Sequence, residues 1–176
     1  MKTVTFEILP VTIKDLKHLK ELGEQTFTES YAAMNTEQNM RLYLKENFSE
    51  SVLSHELEDP AVQHYLAYSG AKPVAYTKLN FGEAQKEIQD KKSIEIERIY
   101  VLKEFQRNNI GKYLLEKIVG VAKQQKMDFI WLGVWEKNFD AIKFYKRNGF
   151  VEFGKHPFKL GLDEQTDILM RLETHS

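Results

Sequence analysis

The sequence contains no cysteine in its 176 residues. This absence excludes a disulfide framework, a zinc site built from thiolates and a cysteine nucleophile, and it fits a reducing compartment. An excess of charge of one sign is also missing, because the formal net charge is −1, so no global attraction to nucleic acid is predicted. No apolar run approaches the ~18 residues that cross a bilayer.

The first ten residues lack the apolar core of a signal peptide. The length suits one domain, 1–176, with a core that needs neither disulfide nor metal. The five histidines form no metal-spaced pair, so no metal is predicted. We therefore expect a single-domain cytoplasmic protein without nucleic-acid or membrane partners, for which a homodimer is a common assembly.

Hydrophobic periodicity and turn residues predict an alternation of strands and helices. The predicted strands cover 5–9 (ended by Pro10), 64–68, 74–80, 93–102, 129–135, 150–160 and 166–172. The predicted helices follow Thr12, with Asp15 in a capping box, and cover 37–48, 50–57, 110–125 and 139–147. The charged segment 83–92 is predicted to be a flexible hairpin connection or a short exposed helix. This order predicts an α/β (α+β) fold with a mixed sheet and a right-handed parallel crossover over 93–135.

The strand over 93–102 breaks the period of two once. Ile94 and Ile96 share one face, whereas Ile99 and Val101 fall on the other. A β-bulge that inserts one residue explains the break, and so does a central strand that is buried on both sides.

The polar turn over 106–111 reads Gln-Arg-Asn-Asn-Ile-Gly and joins this strand to the next helix. Such a turn leaves backbone N–H groups free at a helix N-terminus, where they can hold a pyrophosphate. Asn109 tolerates positive φ, Gly111 permits close backbone approach, and Arg107 and Lys112 add positive charge. An ordinary strand-to-helix connection is the alternative.

A second block, over 138–150, reads Asn-Phe-Asp-Ala-Ile-Lys-Phe-Tyr-Lys-Arg-Asn-Gly-Phe and follows after one helix and one strand. Together the two blocks resemble the Gcn5-related N-acetyltransferase (GNAT) superfamily. The family pattern Gln/Arg-x-x-Gly-x-Gly/Ala is met at 106–111, except that Asn109 replaces a glycine. Residues 131–138 and 163–167, and more loosely 26–29 and 39–44, are similar to the PaiA-type branch of spermidine/spermine acetyltransferases.

The resemblance implies the GNAT fold, in which a mixed central sheet is splayed between its two central parallel strands and carries helices on both faces. It also implies acetyl-coenzyme A as co-substrate and no metal. It favours the bulge, with the backbone of Ile99, Tyr100 and Val101 pairing with the pantetheine arm, and it gives Asn138 a cofactor contact besides its helix cap. The residues implied at the pyrophosphate are Gln106, Arg107, Asn108, Asn109, Ile110, Gly111 and Lys112.

Two side chains are candidates for proton transfer. The resemblance makes Tyr145 the acid that protonates the leaving thiolate. A thiolate of pKa ~8.5 can also take its proton from water. The alternative for Tyr145 is that it is an aromatic residue of the helix–sheet core. A primary amine has a pKa of ~10 and must lose a proton before it attacks a thioester. Glu97 is the predicted acceptor, on the Ile99 side of the strand and opposite Glu95. The alternative is that both are surface or salt-bridged carboxylates.

The predicted function is therefore acetyl transfer to a primary amine of a small polyamine, by direct attack in a ternary complex. Direct attack follows from the lack of a cysteine and of an activated serine. Acetylation of a peptide or protein amine, with an open groove beside Glu97, is one alternative, and a non-catalytic acetyl-coenzyme A sensor is another. His156 either lines the acceptor pocket or has a structural role, and Trp131 and Trp135 are predicted to be core residues. Carboxylates that could meet a polycation are Glu24, Glu29, Asp163, Glu164 and Asp167.

Overall fold

The computed structural model describes residues 5–175, in which seven strands form one sheet flanked by five α-helices. No helix within these residues is long and apolar enough to cross a membrane. The strands are β1 (Glu7–Pro10), β2 (Val62–Ser69), β3 (Lys72–Phe81), β4 (Ser93–Val101), β5 (Phe129–Trp135), β6 (Val151–Leu160) and β7 (Asp163–Glu173). The helices are α1 (Leu16–Tyr31), α2 (Glu37–Phe48), α3 (Glu50–Glu58), α4 (Ile110–Gln124) and α5 (Phe139–Arg147).

The sheet has the order β1-β2-β3-β4-β5-β7-β6, and β4 and β5 are its parallel neighbours. Their pairing joins 93–96 to 129–132 and ends at Ile96 and Leu132, although both strands continue. The two strands therefore lose contact halfway along their length. This confirms the predicted mixed sheet, splayed between its central parallel strands.

A β-bulge lies in β4 beside this split. Lys78 of β3 pairs with Arg98, whereas the next residue, Leu79, pairs with Ile96, so Glu97 is the extra residue. The bulge interpretation is confirmed. The prediction that Glu95 and Glu97 lie on opposite sides is wrong, because the Asn80 amide donates to both carboxylates at 2.9 Å. Residues two apart share a face, and the alternation changes only after Glu97.

The helices cover both faces of the sheet, as predicted. The core under α1, α2 and α3 contains Leu19, Leu22 and Phe27, which form an apolar stripe on α1. Thr12 and Asp15 form the predicted capping box, followed by one 3-10 turn. On the other face, α4 and α5 pack over β4 and β5.

Two local predictions are correct only in part. The strand β1 ends at Pro10, but Pro10 is its last residue and not the residue after it, which is possible because β1 is an edge strand, where proline removes no ladder hydrogen bond. The connection 83–92 is not simply a solvated segment, because Gln85 is only 2% exposed. Its Oε1 accepts hydrogen bonds from Trp131 Nε1 at 2.7 Å and Ser93 Oγ at 2.9 Å. These bonds hold the connection against the α1 side of the sheet.

Candidate active site

The split between β4 and β5 opens into a cleft of about 760 Å³. The cleft is bounded by the diverging strands, by the N-terminal turns of α4 and α5 and by the end of α1. It brings together most of the residues predicted from sequence, namely Glu97, Ile99, Tyr100, Val101, Gln106, Arg107, Asn109, Ile110, Gly111, Lys112, Asn138 and Tyr145. Asn108 does not line it, because its side chain turns back to donate to the Phe105 carbonyl oxygen at 3.1 Å.

The turn before α4 presents a row of free donors. Within residues 5–175, the backbone N–H groups of 107–112 find no acceptor, and the first bonded amide is that of Tyr113, on the Asn109 carbonyl at 3.0 Å. Asn109 has φ +63°, as its residue type allows, and Arg107 also adopts positive φ, +71°. Unpaired amides at the positive end of a helix dipole form an anion site. The turn is therefore built for a pyrophosphate.

Gly111 has a structural role besides the predicted close approach to phosphate. A Cβ at this position would lie 3.2 Å from Cζ of Phe144 in α5. The absence of a side chain at Gly111 therefore permits the close contact between α4 and α5 at the wall of the cleft. This contact holds the first turn of α4 against the second turn of α5. One turn earlier, Asn138 Oδ1 caps α5 by accepting from the Ala141 amide at 3.2 Å.

Positive side chains also line the cleft. Arg107 and Lys112 are the two predicted from sequence, and three more come from other elements, which is why the sequence pattern around the turn did not reveal them. The full set is Lys103, Arg107, Lys112, Lys137 and Arg147. Five cations beside six free amides fit a ligand with several phosphates.

Tyr145 lies deeper in the cleft, and it is both a core residue and a cleft residue. It is 7% exposed and packs with ring centroids 5.4 Å from Phe144 and 5.5 Å from Phe150. Burial raises the pKa of its phenol above the ordinary value, so the hydroxyl stays protonated. Its hydroxyl has no hydrogen-bond partner within residues 5–175, which leaves the proton available to a ligand in the cleft.

Glu97 lies across the gap in a network of buried charges. Its carboxylate forms an ion pair with Lys78 and lies 3.8 Å from Lys86 Nζ. Burial alone would raise the pKa of Glu97, but Arg98 and Lys78 outweigh it and lower the pKa to about 2. Glu97 is therefore ionised and already paired. Of the two readings left open by the sequence, the salt-bridged carboxylate is the one that the geometry favours.

An aromatic wall faces the α1 side of the split. The ring of Tyr31 lies 5.8 Å from that of Trp135 and 6.4 Å from that of Tyr100, and its hydroxyl is 3.4 Å from the Tyr100 hydroxyl. All three side chains line the cleft. Trp131 is a core residue, as predicted, whereas Trp135 also reaches the cleft. Tyr31 was missed because nothing local distinguishes it from other helix tyrosines.

Asp167 of β7 also lies beside the split. It pairs in register with Trp135, and a Cβ on Gly133 would meet its Oδ2 at 3.1 Å. Gly133 is the first β5 residue after the parallel pairing ends. Burial raises the pKa of Asp167 to about 6, partly opposed by His156 of β6. Asp163 and Glu164 belong to the exposed start of β7, and neither they nor Asp167 line the cleft itself.

The comparison with protein families bears on this site directly. The Acetyltransferase (GNAT) family profile matches residues 21–150, which include the split, the turn before α4 and α5. The chain belongs to the GNAT family. It is an N-acetyltransferase that uses acetyl-coenzyme A, and the free amides and cations of the cleft suit the phosphates of that co-substrate. Within the described residues, no cluster of three or more His, Cys, Asp or Glu side chains could hold a metal ion.

Individual relatives agree with this membership. The GNAT chain is 34% identical over 165 residues to an uncharacterized N-acetyltransferase of Lactobacillus delbrueckii subsp. lactis, covering 94% of this chain and 95% of the relative. It is 27% identical over 147 residues to a spermidine N(1)-acetyltransferase of Thermoplasma acidophilum, covering 84% and 89%. The fold matches the crystal structure of the PaiA N-acetyltransferase of T. acidophilum with coenzyme A, at TM-score 0.79, 21% identity and 96% and 99% coverage.

Proposed function

We propose that the acceptor is a primary amine of a small polyamine such as spermidine or spermine, acetylated by direct attack in a ternary complex. The observation that carries this proposal is that aromatic rings and carboxylates line the cleft besides the cations. Tyr31, Tyr100 and Trp135 form an aromatic wall, and Glu29, Glu97 and Asp140 line the same cleft. Aromatic faces and carboxylates suit alkylammonium groups. The spermidine acetyltransferase of T. acidophilum among the relatives supports the same acceptor class.

The co-substrate would lie along the split. The amides of 107–112 would hold the pyrophosphate, the free edge of β4 at Ile99, Tyr100 and Val101 would pair with the pantetheine arm, and Asn138 would contact it from α5. Acetyl-coenzyme A supplies an acyl thioester. The residues of the chain hold its ends, keep the acyl group between the two sides of the cleft and present donors to it.

We assign Tyr145 as the donor to the departing sulfur. Tyr145→Phe is expected to lower kcat about 10- to 100-fold, because one general-acid contact is lost while an aqueous proton still serves a good leaving group. The affinity for coenzyme A should stay within about two-fold. Steady-state rates and calorimetric titration of the variant measure both quantities.

Tyr113→Phe is the matched control, because Tyr113 is an exposed tyrosine on α4. An unchanged rate for Tyr145→Phe, together with normal binding, would remove Tyr145 from the chemistry. Water would then be the source of the proton for the departing sulfur.

In this proposal Glu97 orients the acceptor side of the cleft and does not accept the proton of the attacking ammonium. Transfer of a proton from an ammonium of pKa ~10 to a carboxylate of pKa about 2 is uphill by ~11 kcal/mol. An ionised Glu97 that is held by Lys78 and Asn80 can instead orient the acceptor side of the cleft.

A panel of acceptors tests the proposed function. Coenzyme A release is measured with spermidine, spermine, a simple alkylamine and a short peptide with a free α-amine. We expect kcat/KM for spermidine to exceed that for the peptide by about 100-fold, because the cleft offers carboxylates to a polycation. A preference for the peptide would assign a protein acceptor. Tight cofactor binding without turnover of any amine would indicate a sensor.

A further inference from the structure

We propose that Asp167 accepts the proton of the attacking amine and that His156 passes this proton to solvent. The inference rests on the proposed attack of an amine in a ternary complex, but it does not depend on which amine is the acceptor. Asp167 thereby takes the role of proton acceptor that the sequence analysis had predicted for Glu97.

The position of Asp167 is the first argument. Its Oδ2 lies over Gly133, at the point where β4 and β5 separate, and Gly133 lines the cleft. Asp167 does not itself line the cleft, but its carboxylate contacts Gly133, which does. The missing Gly133 side chain leaves the space next to the carboxylate unfilled at the place where the strands separate.

The carboxylate oxygens of Asp167 are also free to accept hydrogen bonds from a ligand. Its side chain is 13% exposed, yet no group within residues 5–175 donates a hydrogen bond to it, and its ion-pair partner, His156 Nε2, is 4.0 Å away. The two carboxylates of β4 beside the split are engaged. Glu97 is paired with Lys78 and Asn80, and Glu95 accepts from Asn80 and from the Lys86 amide at 3.0 Å. Asp167 alone among these three has its oxygens free for a ligand.

An exit for the proton is the third argument. His156 Nδ1 lies 3.1 Å from Glu87 Oε1, and the Glu87 side chain is 41% exposed. Asp167, His156 and Glu87 therefore form a line from the split to the surface. Glu87 is held there because Gln85, two residues earlier, is fixed in the core by Trp131.

The proton balance of the reaction fits this line. The ammonium nitrogen first loses one proton to Asp167, and its lone pair then forms the bond to the acyl carbon. The carbon–sulfur bond breaks, and its electron pair leaves on sulfur. The second proton of the nitrogen passes to Tyr145 or to water and replaces the proton that sulfur took from the same source. Asp167 releases the first proton through His156, so one proton leaves to solvent in each turnover.

The surroundings of Asp167 allow it to accept a proton near neutral pH. Burial raises its pKa to about 6, with His156 acting in the opposite sense. The other titratable groups near it are Tyr31 of α1 and Tyr43 of α2, whose pKa values burial also raises, so both stay neutral. Asp167 is thus ionised at neutral pH and holds a proton more strongly than an ordinary aspartate.

The pH dependence of Asp167→Asn tests the proposal. For the wild type we expect kcat/KM to rise up to about pH 6 and then to level off. The variant should lose about 100-fold at neutral pH, and its rate should keep rising up to about pH 10, because only the free amine then reacts. Coenzyme A affinity, measured by calorimetry, should be unchanged. Asp163→Asn, the same change on the exposed end of β7, should behave as the wild type.

The profile is recorded with whichever primary amine of the acceptor panel is turned over, so a failure of the polyamine assignment is seen separately. An Asp167→Asn variant that keeps both the rate and the break near pH 6 would overturn the proposal. A substrate-free measurement decides independently. The carboxyl carbon resonance that disappears in Asp167→Asn should titrate near pH 6 in the wild type, and titration near the ordinary value of ~4 would also overturn it.

Discussion

Glu56→Gln is expected to lower the free energy of unfolding by about 3–5 kcal/mol at neutral pH. Glu56 of α3 reaches under the sheet, where its Oε1 lies 2.7 Å from Lys78 Nζ and its Oε2 lies 3.5 Å from Arg98 Nη1. The side chains of Lys78 and Arg98 are 5% and 4% exposed. A neutral amide in place of the Glu56 carboxylate would leave two buried cations with Glu97 as their main counter-charge, and an uncompensated buried charge is costly.

The same network predicts how stability depends on pH. Burial opposes the effect, but His64, Arg98 and Lys78 lower the pKa of Glu56 to about 2, and Arg98 and Lys78 lower that of Glu97 to about 2. Both values lie below the unfolded value of 4.5. The stabilisation is therefore present above about pH 5 and is lost as the pH falls towards 2. We expect the two carboxylates together to contribute about 4 kcal/mol, which is less than two independent carboxylates would, because they share their cations.

Urea unfolding at several pH values measures both effects. Glu58→Gln, on the same helix but exposed, should change the stability by less than about 0.5 kcal/mol. In Glu56→Gln the loss of stability on acidification should be about half that of the wild type. Equal stabilities of Glu56→Gln and Glu58→Gln at neutral pH would mean that the buried ion pairs do not hold α3 to the sheet.

Gly111→Asp is expected to weaken the binding of coenzyme A about 100- to 1000-fold. The new carboxylate would lie in the first turn of α4, among the free amides of 107–112, where it competes for the donors and repels the phosphates. Its Cβ would also press on Phe144 at 3.2 Å and move α4 against α5. The two effects act in the same direction, and calorimetric titration of coenzyme A measures their sum.

Gly120→Asp provides the matched control. Gly120 lies on the same helix, and a Cβ there would have no neighbour within 4 Å. The change in net charge is the same, so this variant should bind coenzyme A within about two-fold of the wild type. If both variants lost affinity equally, the effect would come from net charge or helix stability and not from the turn before α4.

Much of the fold could be predicted because its signals are local. β5 and α5 have the predicted bounds, 129–135 and 139–147. Asn138 caps α5 from its own sequence position, and Gly149 follows the helix with φ +93°. The turn over 106–111 was also predictable, because free amides at a helix start follow from the strand–turn–helix order. The bulge could be suspected from the break in alternation between Ile96 and Ile99.

The rest depends on contacts between distant segments. Gln85 is buried because Trp131, 46 residues away, donates to it, and a charged connection of that composition is otherwise expected to be exposed. Asp167 comes to the split through the registers of β5, β6 and β7. Glu97 lies in the expected cleft, but its paired state depends on Lys78 and Arg98 across the bulge. Side-chain pairing of this kind cannot be read from spacing.

An amide NMR titration of the protein with coenzyme A tests the central claim most directly, because it reports where the co-substrate binds. The account predicts that the largest shifts fall on the amides of 107–112, with further changes at 99–101 and at Asn138. Shifts concentrated instead at the second cleft, around Val62, Lys117 and Gln124, or no shifts at all, would contradict it.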